Sequence, residues 1–489
     1  IFRLHHCYLQ RTGLCLRGFG SFIVLMPPNL IPTNGANDTP LSSPVAALPQ
    51  TRSCSNLIEQ EKEVNECLVL CMVGLPARGK TYLARKLERY LRWIGFKTKS
   101  FNIGMYRRQQ VGAHVAADFF DPSNEAGVSA RQQCAAQAIK ALLSWVFTDG
   151  GRVAIYDGTN STLERRRLVK EQLAQAQKES GIVFKLVWVE SICNDESILE
   201  ETIRRNKLNS PDYVGVDPDT AYRDFRERIA NYERGYKTLT EEEGDRYIKV
   251  IDTGTKMEVY RLDGIVCSRI VYFLLHVRIN TAPIYLSRHG ESEFNIQGKI
   301  GGDSHLSQRG RQYAEQLASF LEKEKELNKT GKLTVFCSTL KRTIETASYI
   351  KGDKPQQWRA LSEIEVGSCD GMNTADFETM MPEEFEARKA DKLRYRYPRG
   401  ESYLDVIQRL EPVIFELEKS TSPVIVVGHR AVLRCVYAYF MDLPHEDIPH
   451  LDLFLHRVFK LKNAAYGCDV QTYDLGVQSV DQVNDQYLT

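Results

Sequence analysis

The stretch Cys67–Thr81, CLVLCMVGLPARGKT, decides the fold of its half of the chain. Cys67 to Gly74 is a short continuous apolar run, the pattern of a strand buried in a parallel sheet. Gly74 to Thr81 matches G-x-x-x-x-G-K-[ST] in full. The next residues, KTYLARKLERYLRWIG, place Tyr82, Leu83, Leu87, Leu91 and Ile94 at helical spacing. Strand, glycine loop and helix in that order make a phosphate cradle. The glycines let backbone N–H groups wrap the phosphates, and the helix N-terminus adds positive potential. Lys80 is expected to neutralise the β and γ phosphates of a nucleotide, and Thr81 to ligand Mg²⁺.

Working outward, strands fit KTKSFNI, RVAIYD, FKLVWVE and YIKVID, with helices between them to about residue 260. That alternation predicts an α/β domain with a parallel sheet over 63–281. A second α/β series starts near VRINTAP. PIYLSRHG, LTVFCST and PVIVVGH read as buried strands, and SQRGRQYAEQLASFLEKEKE as a helix. This second domain is expected over 282–470, with 471–489 as a loose polar tail. The apolar run IVYFLLHV at Ile270 suits a buried element.

The chain has 489 residues, too many for one core, and two domains of roughly 200 residues are the natural expectation. With 64 basic and 63 acidic residues the net charge is +1. That balance gives no global attraction to nucleic acid or membrane. No apolar run approaches the roughly 20 residues that span a bilayer. Twelve cysteines without CxxC pairs point away from a disulfide framework or zinc site, toward a reducing cytoplasm. Residues 1–62 read as a disordered or non-native extension. Arg3, Arg11 and Arg17 with no acid before Asp38 also fit a targeting presequence, and Met26 fits a start. Ser55, three after Arg52, fits a basophilic kinase site.

Asp157 ends the strand RVAIYD, where a carboxylate orients an acceptor hydroxyl, helps hold Mg²⁺, or simply caps a turn. Arginines follow several strand ends: Arg107 and Arg108, Arg131, and Arg165 to Arg167. Singly they are surface charges. Together they suggest an anionic acceptor. In the second series Arg288 and His289 follow one strand and His429 another, with Arg342 just before a helix and Glu363 in LSEIEVG. An imidazole attacks phosphorus, arginines hold phosphoryl oxygens, and a carboxylic acid protonates the leaving alcohol. His445, His450 and His456 lack this setting and read as structural.

The second half resembles the histidine phosphatase superfamily, which includes phosphoglycerate mutases. The resemblance implies that His289 is the nucleophile, that Arg288, Arg342 and His429 hold the phosphoryl group, that Glu363 is the acid and that Asn295 lies in the same pocket. From about Leu68 to Cys468 the whole chain resembles the 6-phosphofructo-2-kinase/fructose-2,6-bisphosphatase family. MVGLPARGKTY, RQQCA, VESIC, SPDYV, SRIVYFL, RHGESEFN, IGGD, YRYPRGESY and AYGC carry that resemblance. It implies a P-loop kinase domain joined to a phosphoglycerate mutase-like phosphatase domain. The kinase would use ATP and Mg²⁺ on fructose 6-phosphate, the phosphatase would act on fructose 2,6-bisphosphate, and the assembly would be a homodimer. It also implies residue roles. Gly74, Leu75, Pro76, Ala77, Arg78, Gly79, Lys80, Thr81 and Tyr82, with Asn206 and Lys207, match ATP-binding positions. Arg107, Arg131, Thr159, Arg165, Lys207, Arg228 and Tyr232 match binders of fructose 6-phosphate. Lys80, Asp157 and Cys193 match the kinase active site. Gly301, Arg388, Lys392, Tyr403 and Arg434 match binders of the bisphosphate.

The chain departs from the family pattern at Leu163 and Arg430, where the family has arginine and glutamine, at Thr374, where it has tyrosine, and at DGTN, where it has DATN. Leu163 removes a cation near the kinase site, and Arg430 adds one beside His429 that would tighten sugar-phosphate binding or slow product release. Two other readings stay open: a nucleoside-type kinase fused to a mutase, and a regulatory binding protein without turnover.

Overall fold

The structure is a computed structural model and describes residues 65–208, 210–278, 282–328, 332–464 and 467–481. The expected extension over 1–62, with Met26 and Ser55, lies outside these residues, as does 482–489. The first half is a six-stranded sheet of β1 Glu66–Val73, β2 Thr98–Asn102, β3 Val153–Asp157, β4 Val183–Ile192, β5 Tyr247–Ile251 and β6 Lys256–Tyr260, in the order β2-β3-β1-β4-β5-β6. The first five strands are parallel and β6 is antiparallel to β5. From Cys67 to Val73 β1 is apolar because both its faces are covered. Leu68, Leu70 and Met72 enter one core, and Cys67, Val69, Cys71 and Val73 the other.

The second half is also six-stranded: β7 Ile284–Arg288, β8 Thr334–Cys337, β9 Gln356–Gln357, β10 Val424–Gly428, β11 Arg457–Ala464 and β12 Gly467–Asp474, in the order β12-β11-β7-β10-β8-β9. β7, β10, β8 and β9 are parallel; β11 runs antiparallel to β7 and β12. β10 repeats the β1 logic, with Val424 and Val426 in one core and Ile425 and Val427 in another. The run at Ile270 is helical, within Ile265–His276, and buries Ile270, Phe273 and Leu274.

One apolar cluster unites the halves. It holds Leu87, Tyr90 and Leu91 of the helix Lys80–Trp93, Phe273 of Ile265–His276, and Leu410 and Val436 of the helices Tyr403–Lys419 and Arg430–Met441. Tyr90 stacks on Phe273 at 4.3 Å. At the same seam Glu418, fully buried, accepts from Lys86 Nζ at 2.7 Å, Arg89 Nη2 at 2.5 Å and the Tyr439 hydroxyl at 2.6 Å.

The loose tail expected over 471–489 does not hold for residues 471–481. They complete β12 and then return to the sheet's carboxyl end, where Asp481 bonds Arg288 and Val480 N bonds Glu291. β12 lies at an edge and is mostly exposed, with only Cys468, Val470 and Tyr473 packed on the cores, so its composition marks it weakly as a strand. No described helix is long and apolar enough to cross a membrane. The nine described cysteines are free thiols.

Candidate functional site

Two sites form, each at the carboxyl ends of the parallel strands of one sheet. In the first, β1 stands between β3 and β4, where successive connections leave in opposite directions and a crevice opens. Gly74 and Gly79 both have positive φ, 133° and 81°. A Cβ on Gly74 would sit 2.5 Å from the Ser191 carbonyl oxygen, so the loop turns only as glycine. Lys80 starts the helix and donates back to the Leu75 carbonyl inside the loop's curl. Burial pushes its ammonium down to about 7; Asp157 opposes this, while Lys207, Arg78 and Arg228 add to it. Thr81 is half-buried in the first turn, and the Tyr82 hydroxyl donates to the Arg278 carbonyl.

Asp157 ends β3 opposite Asn102, the last residue of β2, and Asn102 Nδ2 donates to its carboxylate at 2.5 Å. Thr159 follows, its carbonyl accepting from Gly74 N at 2.9 Å. The arginines gather around Asp212 of SPDYV: Arg107 Nη2 lies at 2.6 Å, Arg228 at 3.6 Å and Arg108 at 3.7 Å. Arg228 also covers the Phe120 ring at 3.7 Å, and Tyr232 packs on the same ring. Arg131 is lowered by burial and then feels Tyr232, Arg165 and Arg228, which makes these four neighbours. Asn206 and Lys207 lie in the widened turn Ile203–Lys207, where Lys207 is lowered by burial and raised by Asp157.

Not every arginine of the cluster faces this site. Arg166 is fully buried and paired with both oxygens of Glu243, and exposed Arg167 pairs with Glu171. Cys193 follows β4 with its thiol raised by burial, so it is a neutral group there. Leu163 is half-exposed at the first position of the helix Leu163–Ser180. No motif or spacing singles out Asp212. Its only signal was its place inside a matching string.

The second site forms where β7 and β10 are direct neighbours, with Arg288 opposite Gly428. His289 and His429 therefore follow adjacent strand ends, their rings 5.1 Å apart. His289 Nδ1 lies 2.7 Å from the Gly290 carbonyl, which only accepts, so Nδ1 carries the proton and Nε2 the lone pair. Arg342 Nε donates to that Nε2 at 3.1 Å. Burial, then Arg342, holds both imidazoles well below the usual histidine range, so both are neutral. His429 Nε2 meets Ser338 Oγ at 2.7 Å, while its Nδ1 is buried without a partner among the described residues. Glu363 Oε1 accepts from Ile364 N and Ala431 N.

Arg288, His289, Arg342 and Glu363 line a cavity of about 330 Å³ with Asn295, Gly301, Arg388, Lys392, Tyr403, Arg430 and Arg434; His429 is not among its lining residues. Asn295 Oδ1 caps its own short helix by accepting from Ser292. Gly301 has φ 75°, and a Cβ there would meet Asp370 Oδ1 at 2.0 Å. Arg388 Nε donates to the Tyr397 hydroxyl, and Arg434 Nη1 to that of Tyr403. Burial lowers Lys392 to about 8, and Arg434, Arg388 and Arg430 add to this. Thr374 is not among the lining residues; Tyr395 and Tyr397 supply aromatic hydroxyls to the wall instead.

Family models match each half of the chain. A family model described as 6-phosphofructo-2-kinase matches residues 55–281, and one described as histidine phosphatase superfamily (branch 1) matches residues 284–475. The chain is 48% identical over 413 residues to an Arabidopsis thaliana 6-phosphofructo-2-kinase/fructose-2,6-bisphosphatase, covering 83% of this chain and 54% of that one. It thus spans about half the length of the plant relative. It is 46% identical over 415 residues to the Gallus gallus protein of the same name, covering 84% of this chain and 86% of that one. It is 46% identical over 419 residues to 6-phosphofructo-2-kinase/fructose-2,6-bisphosphatase 1 of Homo sapiens, covering 85% and 86%. At that identity and coverage the chain belongs to the 6-phosphofructo-2-kinase/fructose-2,6-bisphosphatase family.

Proposed function

We propose that this chain both makes and removes the 2-phosphate of fructose 2,6-bisphosphate. One observation carries the reading: a complete phosphate loop and an oriented, neutral histidine nucleophile lie on two sheets of the same chain. Residues 63–281 hold the kinase and residues from 282 the phosphatase.

In the kinase, Arg107, Arg131, Arg165 and Arg228 bind the sugar phosphate, with Tyr232 and Thr159 beside them. Asp157, fixed by Asn102, orients the 2-hydroxyl of fructose 6-phosphate and takes up its proton. The loop 74–82, with Asn206 and Lys207, holds ATP, and Lys80 neutralises its charge. The Thr81 hydroxyl is a hard oxygen donor at the end of that loop, which suits Mg²⁺. When bound there, the ion would offset the charge of the phosphates. Fixed cations suffice for most of the rest, because phosphoryl transfer depends on positioning and electrostatics.

In the phosphatase, His289 Nε2 attacks phosphorus and forms phosphohistidine as the bond to sugar O2 breaks. Protonated Glu363 gives its proton to O2, releasing fructose 6-phosphate. Water then attacks phosphorus as the bond to His289 Nε2 breaks, releasing inorganic phosphate, and the water's proton returns to Glu363. Arg288, Arg342 and His429 hold the phosphoryl oxygens. Arg388, Lys392, Arg430, Arg434 and Tyr403 bind the other end of the sugar. Free thiols throughout the described residues support a cytoplasmic setting. The homodimer implied by the family resemblance is checked by light scattering.

The test is a paired assay of fructose 2,6-bisphosphate synthesis and hydrolysis in wild type, Lys80→Ala and His289→Ala. Loss of synthesis alone in the first variant and of hydrolysis alone in the second is expected. A wild type that binds ATP and sugar phosphate without turning over either overturns the reading.

A further inference from the structure

We propose that Asp481 is a positioning residue for the phosphatase reaction, acting through Arg288; the proposal rests on the function proposed above. After β12 the chain returns as a strap, residues 477–481, fastened at three places. His456 Nδ1 donates to the Val477 carbonyl at 2.9 Å. That fixes the His456 tautomer, because its Nε2 must then accept, and it does, from Glu291 N at 2.9 Å. Val480 N donates to Glu291 Oε2 at 3.0 Å. Asp481 Oδ2 accepts from Leu455 N at 3.1 Å and from Arg288 Nη1 at 2.5 Å. All three fastenings converge on Arg288 and Glu291, the residues that flank His289 and Gly290.

Arg288 is buried, and its Nη1 is fully occupied by Asp481 and the Leu453 carbonyl. Its Nε is buried with no partner among the described residues. Arg288 lines the substrate cavity and Asp481 does not. The carboxylate therefore holds the far edge of the guanidinium and leaves the Nε edge for a phosphoryl oxygen. It also offsets charge. The cavity wall carries seven cations, Lys299 and Lys392 with Arg288, Arg342, Arg388, Arg430 and Arg434, and Glu363 as its one carboxylate. Asp481 keeps Arg288 from gripping released phosphate as an unpaired cation would. The strap thus does two separable things: geometry for the transition state and charge for product release.

Substitution separates them in the full-length chain. Asp481→Asn keeps an acceptor at the same place and removes the charge, so inhibition of hydrolysis by inorganic phosphate tightens by about tenfold. Asp481→Ala removes the acceptor as well, so kcat falls by about tenfold or more while KM changes little. Asp481→Glu recovers part of that kcat. Synthesis by the same variants stays at the wild-type rate, which separates positioning from misfolding. Hydrolysis and phosphate inhibition unchanged in both Asn and Ala variants overturns the proposal. So does a parallel loss of synthesis and hydrolysis, which would make the strap merely structural. A wild type that neither hydrolyses the bisphosphate nor binds inorganic phosphate by calorimetry instead overturns the function, and the strap's role with it.

Discussion

Arg89, on the helix that begins at Lys80, donates to Glu418 of the second half at 2.5 Å, and both side chains are buried. Lys86, one turn earlier, holds the other oxygen of the same carboxylate. The nucleotide-loop helix, the helix Tyr403–Lys419 and, through Tyr439, the helix that carries Arg430 and Arg434 therefore share one buried cluster. Removing one partner leaves charge uncompensated in the interior. Glu418→Ala is expected to destabilise the chain by about 3–5 kcal/mol. Heat inactivation should then remove both activities together, whereas loss of one alone would show that the halves unfold independently.

The same cluster sets an acid limit. Burial raises the Glu418 carboxyl, but Lys86 and Arg89 more than reverse this and hold it at about 2. A depressed carboxylate stabilises the fold at pH values above its unfolded value, which lies near 4.5. That stabilisation is lost as pH falls from there toward about 2. Acid unfolding followed by intrinsic fluorescence should therefore lose a step in Glu418→Gln that wild type shows in this window. Superimposable acid curves would refute the assignment.

His289 is neutral because burial and the cations Arg342 and Arg288 disfavour its protonation. A nucleophile already deprotonated gains nothing from rising pH. Phosphohistidine formation in rapid-quench experiments should show no histidine-type rise between about pH 6 and 8. A rate that climbs through the ordinary histidine range would mean that the nucleophile starts protonated.

The sequence revealed this site in part, and the reason is physical. β1, β7 and β10 are buried on both faces, so continuous apolar runs mark them, and the chemistry sits where those runs stop. β12 is a largely exposed edge strand of mixed composition, and its last residues, from 471, read as a tail, whereas β11 is interior and mostly buried. Asp212 and Asp481 were missed for another reason. Each matters through an ion pair to an arginine far away in the chain, and spacing alone cannot express such a partner. Cys193 lies near the first site, yet burial leaves its thiol neutral.

Arg107 makes the shortest of the three arginine contacts to Asp212 and also donates to the Gly112 carbonyl. Arg107→Ala should raise KM for fructose 6-phosphate by about tenfold or more, the cost of a lost charged hydrogen bond. KM for ATP should not change. Arg107→Lys should not restore the loss, because a point charge cannot make both bonds of the fork. An equal rise in both KM values would place Arg107 outside the sugar-phosphate site.

Gly301 tests the wall of the second site. Its φ is 75°, and a methyl group would collide with the Asp370 carboxylate that accepts from Gly302 N at 2.6 Å. Gly301→Ala should displace this loop at a cost of about 1–3 kcal/mol. Hydrolysis should weaken through KM for the bisphosphate while synthesis is unaffected. An unchanged KM would show that the loop does not shape the pocket.

Lys80 couples nucleotide binding to a proton. Burial lowers its ammonium to about 7, so without nucleotide most molecules carry it neutral at about pH 8. A bound triphosphate favours the charged form and pulls the proton back. Nucleotide binding at about pH 8 should therefore take up close to one proton per site, and at about pH 6, where Lys80 is already charged, almost none. Calorimetry in buffers of different ionisation enthalpy measures that number directly. In Lys80→Met the uptake should disappear at every pH along with synthesis, while hydrolysis continues. Uptake that persists in the variant would assign the proton to another group, with Lys207, also lowered by burial, the next to replace.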